Sequence, residues 1–404
     1  MSWTLFSAVS TIFFSAVSII FFYKTFLNKN FIFGFKESFA IGLFFYIHIP
    51  IMIFYFYNDF LIDNYVNFYG YNYIDILKIQ YLAIIIIISF SFGFISLKKR
   101  IRIFNINQNY SLSEVIFTMF LVSLTFFFEI PAINPIILLF LLLCVLIFKS
   151  SSSNKKKIFL LILASLLFMY LMVNFSNARR HVIVILIISL FYISLISNSK
   201  KNFFLIFFML LVLGFFFVFL VTHLRSVSLT GIETDFILIP SFAGILSNYD
   251  FMSAFDNLVY IINLPDLLYG ESIFKIFFSF IPRDIWFSKP LDTNLLIVQL
   301  RQNPFVGGSS QSVNLLGEIF WNFGWIGTFF SFFLIGSISK NFDLIRNDKL
   351  TDSQLIISAA MVYLIFLFWR GSISTTLVNF LSNIFFLFII LFISRLIFRP
   401  VKKN

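Results

Sequence analysis

The sequence predicts an all-α membrane protein with many spans, and its composition and the spacing of its apolar runs are the observations that predict it. Of the 404 residues, 60% are hydrophobic and 12% are charged, and the mean hydropathy is +0.97. A soluble globular domain carries about 25% charged residues, so this composition is too apolar for a water-soluble surface. It excludes a cytosolic enzyme, a nucleic-acid-binding protein, a secreted domain and a disordered chain.

Eleven apolar runs are long enough for membrane spans, because a bilayer-crossing helix needs about 20 mostly apolar residues. The first run has no basic segment before it and no small-residue cleavage site, so we interpret it as a span and not as a signal peptide. We find no internal repeat and expect one domain over 1–404, a polytopic helical bundle. The predicted spans are 3–23, 37–57, 75–97, 112–130, 132–148, 158–175, 182–197, 203–222, 315–338, 355–369 and 373–394.

The charges between the runs predict the orientation of the bundle. Lysine-rich breaks hold 20 of the 29 Lys and Arg residues, and the breaks that alternate with them hold nine. Excess positive charge marks cytoplasmic loops, so we expect the N-terminus outside and the C-terminus inside the cell. Six of the nine outer cations are arginines, whose planar fork suits phosphate and carboxylate. We therefore expect any chemistry on the outer side.

One break, 223–314, is far longer than the others and is predicted to be a large external loop with short amphipathic helices. Long loops are usually functional. Phe251, Phe255 and Leu258 fall on one helical face, which is typical of a helix at a membrane interface, and a second apolar stretch follows at 272–281. We expect the loop to fold over the external mouth of the bundle.

Cysteine and histidine are too few to indicate metal or disulfide chemistry. Cys144 is the single cysteine, and the three histidines are widely spaced. The sequence has no zinc, thiol-redox or phosphate-loop motif. We therefore expect neither a metal nor a cofactor.

Two short external turns carry arginines. Arg179, Arg180 and His181 lie between the sixth and seventh predicted spans, and Arg370 lies between the last two. Arg179 and Arg180 either reach towards lipid headgroups or bind an anionic ligand, and the sequence leaves both interpretations open. Arg370 has no acidic residue near it in the sequence, which suggests an anionic partner from a distant part of the chain or an anionic ligand.

The large loop contains a dense group of cations and aromatic residues. The segment FIPRDIWFSKP places Arg283, Trp286 and Lys289 on a stretch stiffened by two prolines, and Arg301 follows it. Aromatic rings beside cations suit a sugar-phosphate ligand, and they equally suit an anchor at the membrane interface.

The segment NLLGEIFWNFGWIG opens the ninth predicted span and carries Glu318. A carboxylate in an apolar run is costly unless it is paired. Glu318 therefore either pairs with an arginine or acts as a general base. Asn322 lies one helical turn further along the same face.

The order of these motifs resembles the oligosaccharide repeat-unit polymerases, the O-antigen polymerase (Wzy) family. The resemblance covers 269–327, with GES at 270–272, then IPRDIWFSKP, a Ser/Gly-rich gap and GEIFWNFGWIG. It implies a metal-independent membrane glycosyltransferase of the bacterial inner membrane, with a periplasmic active site. Donor and acceptor would both be undecaprenyl-pyrophosphate-linked oligosaccharides, held beside membrane lipid. A polysaccharide co-polymerase that regulates chain length is a candidate partner, and nucleic acid is not.

The resemblance and the residues together give candidate roles. Outer cations would neutralise the leaving pyrophosphate, and a base would take the proton of the acceptor hydroxyl. Glu318 is the first candidate for that base, followed by His181 and His223. The catalytic candidates are Glu318, Arg283, Arg180 and Arg370. The substrate-binding candidates are Arg179, His181, His223, Arg225, Lys289, Arg301, Trp286 and Asn322.

Two other functions stay open. An O-antigen ligase uses the same donor but transfers to lipid A core, and that family depends on a loop histidine, for which only His223 is available here. A lipid-linked oligosaccharide transporter would carry charged residues within its spans, and the predicted spans have almost none.

Overall fold

The computed structural model confirms the all-α class. Of the chain that it describes, 85% is helical and no residue lies in a strand. The described residues are 2–26, 33–54, 72–96, 108–128, 134–175, 180–197, 203, 205–210, 250–279, 281, 285–287, 289–301, 312–345 and 350–398.

The helices are numbered in chain order. A π-helical turn at Phe44–His48 lies inside the second helix, and a 3-10 turn at Lys275–Phe278 follows the ninth. The helices are α1 (Ser2–Phe26), α2 (Phe35–Phe54), α3 (Tyr73–Ser96), α4 (Leu112–Phe128), α5 (Pro135–Lys149), α6 (Asn154–Phe175), α7 (Arg180–Ile196), α8 (Asp250–Ile261), α9 (Glu271–Phe274), α10 (Thr293–Leu300), α11 (Leu315–Ile345), α12 (Asp352–Phe368) and α13 (Ile373–Phe398).

Within the described residues, five helices are long and apolar enough to cross a membrane, which makes this a membrane protein by the length and composition of its helices. They are α1, α2, α3, α11 and α13, and α4, α5, α7 and α12 are shorter apolar helices. The count of eleven spans stays a prediction, as does the large external loop. Residues 211–222 of the eighth predicted span and 223–249 of the loop lie outside the described residues.

The centre of the bundle is a close contact between α3 and α11. Gly93 lies against the backbone of Phe333, and Gly336 lies against the backbone of Phe90, so neither position has room for a Cβ atom. Small residues let membrane helices approach in this way, and the Ser337 hydroxyl donates to the Gly93 carbonyl at 3.2 Å.

Aromatic packing fixes the end of α12 to this centre. The rings of Phe39 and Phe90 stack with centroids 4.1 Å apart, and Trp369, which is fully buried, packs 5.2 Å from Phe39. Trp369 follows α12 directly and precedes Arg370 in the chain. The turn that carries Arg370 therefore starts from a rigid anchor.

A kink in α11 separates a short first arm from the rest of the helix. Gly324 has φ 61° and ψ −160°, a conformation that favours glycine because it has no Cβ atom. The arm, 315–323, carries Glu318 and Asn322. The Leu268 N–H donates to the Trp321 carbonyl at 2.8 Å, which ties the arm to the preceding segment.

The α8 helix confirms the helix predicted around Phe255, but its surroundings differ from the prediction. Phe255 and Leu258 are buried, and Asp256 and Asn257 are buried as well. The helix packs against α2, α3 and α11, and its position at a membrane interface stays a prediction. Its polar residues tolerate burial because Arg301 pairs with them.

Candidate active site

Glu318 is the centre of a buried hydrogen-bond network that joins three helices. The side chain is fully buried. Its Oε1 accepts from the Ser272 hydroxyl at 2.8 Å, and its Oε2 accepts from the Ile373 N–H at 2.5 Å. Asn322 Nδ2 donates to the Ser272 hydroxyl at 2.8 Å and to the Glu318 carbonyl at 2.7 Å. The arm of α11 thereby holds α9 and the first residue of α13.

This network brings together the two stretches that carry the family resemblance. Gly270 has φ 88° and directly precedes α9, in whose first turn the Ser272 hydroxyl donates to Glu318. Glu318 and Asn322 are four residues apart and share a helical face, as the sequence predicts. The predicted pairing of Glu318 with an arginine is not what the described residues form, since its partners are a hydroxyl and a backbone N–H.

Asp292 holds the same turn from the other side. Its carboxylate accepts from the Ser372 hydroxyl at 3.2 Å and from the Thr375 hydroxyl, and it caps α10 through the Asn294 N–H at 2.9 Å. The turn between α12 and α13 is therefore clamped between two carboxylates, those of Glu318 and Asp292.

Arg370, at that turn, lines a polar cavity of about 160 Å³. The residue is 6% exposed. Amides and hydroxyls make up most of the other polar lining, so the cavity offers hydrogen bonds in several directions. We call it the Arg370 cavity, and its polar lining residues are Asn134, Asn294, Arg370, Ser372, Thr375, Thr376, Asn379 and Asn383.

A second cavity, of about 140 Å³, lies beside the first two turns of α13, and we call it the lysine cavity. Lys275 and Lys289 line it. The Lys289 ammonium donates to the carbonyls of Ser279 and Ile281 at 3.0 and 2.7 Å. Thr375 and Asn379 line this cavity and also the Arg370 cavity, so the two adjoin.

An apolar groove adjoins each polar cavity. One, of about 570 Å³, runs between α12 and α13 and meets the Arg370 cavity at Phe380. The other, of about 690 Å³, is lined by aromatic residues that include Trp286 and meets the lysine cavity at Lys275. We call them the α12–α13 groove and the aromatic groove.

Arg301 has an internal role. The side chain is buried, with Nη1 2.5 Å from Asp256 Oδ2 and 2.8 Å from Asn257 Oδ1. Its guanidinium also lies 5.0 Å from the Tyr260 ring centroid. The predicted substrate contact thus lies in an ion pair between α8 and the end of α10, and it lines none of the four cavities described above.

The remaining candidates are placed only in part. Arg180 and His181 begin α7, and their side chains lie outside the described residues. Arg179, His223, Arg225 and Arg283 lie outside them entirely. Of the predicted site residues, Arg370, Lys289 and Trp286 each line one of the cavities, whereas Glu318 and Asn322 line none of the four and are linked to α13 through the Ile373 N–H.

Sequence reasoning missed several polar residues of this region. The signal was present in α13, where Thr375, Asn379 and Asn383 follow one another at four-residue spacing inside an otherwise apolar helix. Asp292 gave a weaker signal, as a carboxylate directly before the helical segment TNLLIVQL.

Among the described residues, no group of three or more His, Cys, Asp or Glu side chains could hold a metal ion. Comparisons of the chain with protein-family models, curated proteins and solved structures find no match.

Proposed function

We propose that this protein is a membrane glycosyltransferase that polymerises oligosaccharide repeat units carried on undecaprenyl pyrophosphate, at the periplasmic face of the bacterial inner membrane. The observation that carries the proposal is a set of adjoining cavities, in which two polar cavities lie beside α13 and each meets an apolar groove, one at Phe380 and the other at Lys275. A polymerase of this kind must hold two substrates at once, each with an apolar chain and a polar head.

The α12–α13 groove suits an apolar lipid chain. Its lining is apolar except for Ser382, and Leu381 and Phe385 are 51% and 70% exposed. Exposed apolar side chains on an apolar helix are expected where a helix faces lipid. A lipid chain in this groove would bring its head to Phe380, where the Arg370 cavity begins.

The Arg370 cavity suits a sugar with an attached phosphate. Asparagine amides donate and accept, as hydroxyl-rich sugars require. The Arg370 guanidinium provides charge-assisted hydrogen bonds to a phosphate oxygen. Tyr363 and Phe380 line the cavity as an edge-to-face pair and would provide an apolar surface for a sugar ring.

The reaction forms one glycosidic bond and breaks one sugar–phosphate bond. The acceptor hydroxyl attacks the anomeric carbon of the donor, the acceptor proton passes to a base, and undecaprenyl pyrophosphate leaves with the bonding electrons. In this reaction Arg370 would stabilise the developing negative charge.

Glu318 is the candidate base, and the structure also gives it a positioning role. Each of its carboxylate oxygens already accepts a hydrogen bond, one from the Ser272 hydroxyl and the other from the Ile373 N–H. As a base, Glu318 would exchange one of these bonds for a hydrogen bond to the acceptor hydroxyl, since a base must lie within about 3 Å of the proton that it takes.

The test is an assay of the purified protein in lipid nanodiscs with one defined lipid-linked repeat unit. Ladders of polymer support the proposal. Transfer only to added lipid A core would indicate a ligase, and movement of the lipid without a new bond would indicate a transporter. Met361→Trp, which fills the α12–α13 groove, should reduce the ladders, whereas Phe392→Trp on the lipid-facing side is the matched control.

A further inference from the structure

The lysine cavity has a lining unlike that of the Arg370 cavity. It lies between the 3-10 turn that starts at Lys275, the residue Lys289, and the first two turns of α13. Two lysines line it, and none of its described lining residues is acidic. Its volume of about 140 Å³ exceeds the roughly 30 Å³ that one water molecule occupies, so a small polyatomic group fits.

Backbone contacts hold one of the two ammonium groups in place. The Lys289 Nζ donates to the carbonyls of Ser279 and Ile281, and Ser279 also lines the cavity. Asp292 contacts the lining residue Thr375 but does not itself line the cavity, and Glu318 does not line it either. The described lining therefore carries two cationic side chains and no carboxylate.

Ser374 gives a second and independent observation. The residue lines the cavity and is 3% exposed, and its hydroxyl has no hydrogen-bond partner within the described part of the chain. Buried hydroxyls are almost always hydrogen-bonded in folded proteins. The hydroxyl also lies in the first turn of α13, a 26-residue helix whose N-terminus carries partial positive charge.

We propose that the lysine cavity binds a phosphate group, with Lys275, Lys289 and the Ser374 hydroxyl as its ligands. Phosphate fits because its several oxygens accept from donors in different directions, and a helix N-terminus favours such an anion. The group comes either from soluble phosphate or from a phospholipid headgroup that reaches the cavity from the aromatic groove. The proposed function uses this cavity for the polar head of one substrate, and the inference rests on it to that extent. Phosphate binding is measured without glycosyl transfer, so the two can fail separately.

The binding test uses the full-length protein in phosphatidylcholine nanodiscs. One arm titrates inorganic phosphate, and the other includes phosphatidic acid in the bilayer. The midpoint of thermal unfolding should rise in at least one arm, because a ligand that binds only the folded state stabilises it. A response to soluble phosphate alone identifies a free anion, and a response to phosphatidic acid alone identifies a lipid headgroup.

Three variants make the test specific. Ser374→Ala should weaken the apparent affinity about tenfold, since hydrogen bonds to charged groups are strong, and should leave the unliganded midpoint unchanged or higher because it removes an unpartnered hydroxyl. Lys275→Gln should also weaken binding. Lys78→Gln, whose lysine bonds to Asn263 away from the cavity, should bind like the wild type. Equal ligand responses in Ser374→Ala and the wild type, or no response in either arm, would overturn the proposal.

Discussion

The buried charged residues at the two ends of α12 have different surroundings. At its start, the Asp352 carboxylate accepts from Lys149 and from the Tyr110 N–H, both at 2.7 Å. Ser353 and Gln108 pair reciprocally beside it. At the other end, Arg370 lines an open polar cavity.

The difference separates a structural cluster from a candidate binding region. At the Asp352 end, hydrogen bonds and an ion pair tie three segments of chain together. At the Arg370 end, buried polar atoms of Asn322, Thr293 and Ser374 have no partner within the described residues. Such atoms also occur elsewhere in the bundle, as at Tyr192. Their combination with cations and cavities is what indicates a ligand site.

Cysteine labelling tests whether the Arg370 end and the Asp352 end of α12 face opposite sides of the membrane, and each cysteine should either react or stay unreacted. In a Cys144→Ala background, a cysteine at the exposed Tyr269 should react with an impermeant thiol reagent in whole cells with a permeabilised outer membrane. A cysteine at the exposed Ser151 should not react, because the lysine-rich breaks are predicted to be cytoplasmic. The reverse labelling pattern would place the candidate site in the cytoplasm.

Glu318→Gln tests the chemistry at the Arg370 end. Glutamine keeps one oxygen for the Ile373 N–H, so the fold should persist. Loss of a general base should lower turnover by roughly 10²–10⁴-fold with little change in donor binding. Activity is measured per folded molecule, with donor affinity alongside. Near-normal specific activity would leave Glu318 a positioning role only and move the base assignment to His181 or His223.

Arg301→Gln should affect stability and spare the chemistry. The change leaves the buried Asp256 carboxylate without its ion pair, and breaking a buried pair costs about 3–5 kcal/mol. Chemical denaturation in detergent measures the loss. Asp256→Asn should cost a similar amount, and the double variant should cost less than the sum of the two. Full additivity would contradict direct coupling of Arg301 and Asp256.

Lys149→Met is the corresponding change at the Asp352 end, and its effect should be smaller. Lys149 is partly exposed, with 39% of its side chain accessible, and Asp352 keeps the Tyr110 N–H as a partner. We expect a loss of about 1–3 kcal/mol in the free energy of unfolding. Activity per folded molecule should stay at the wild-type level. A loss of activity without a loss of stability would contradict a purely structural role for the Asp352 end of α12.

The sequence predicts the fold class better than the site, for physical reasons. Length and apolarity of a run decide whether it can span a bilayer, and both are local properties. The partners of Arg301 and Glu318 are not local, since Asp256 is 45 residues from Arg301 and Ile373 is 55 residues from Glu318. Only packing brings such residues together.

Sequence reasoning predicts spatial proximity only for residues that lie within one helical turn or one short motif. Glu318 and Asn322 share a face because of their spacing, and Ser272 lies in the GES motif that meets them. The polar residues of α13 were missed because that run was assessed by its average hydropathy, which stays high although Thr375, Asn379 and Asn383 lie on one side of the helix. The kink at Gly324 follows from backbone geometry, which the spacing of apolar residues does not encode.

The central claim is that the Arg370 end binds the substrate and the Asp352 end does not. The most direct test is a pair of conservative cation exchanges, Arg370→Lys and Lys149→Arg, assayed for polymer ladders per folded molecule from a defined lipid-linked repeat unit. Lysine keeps the charge but loses the planar fork, so Arg370→Lys should lower polymer formation about 10²-fold, and Lys149→Arg should retain it. Wild-type ladders from well-folded Arg370→Lys would contradict the claim.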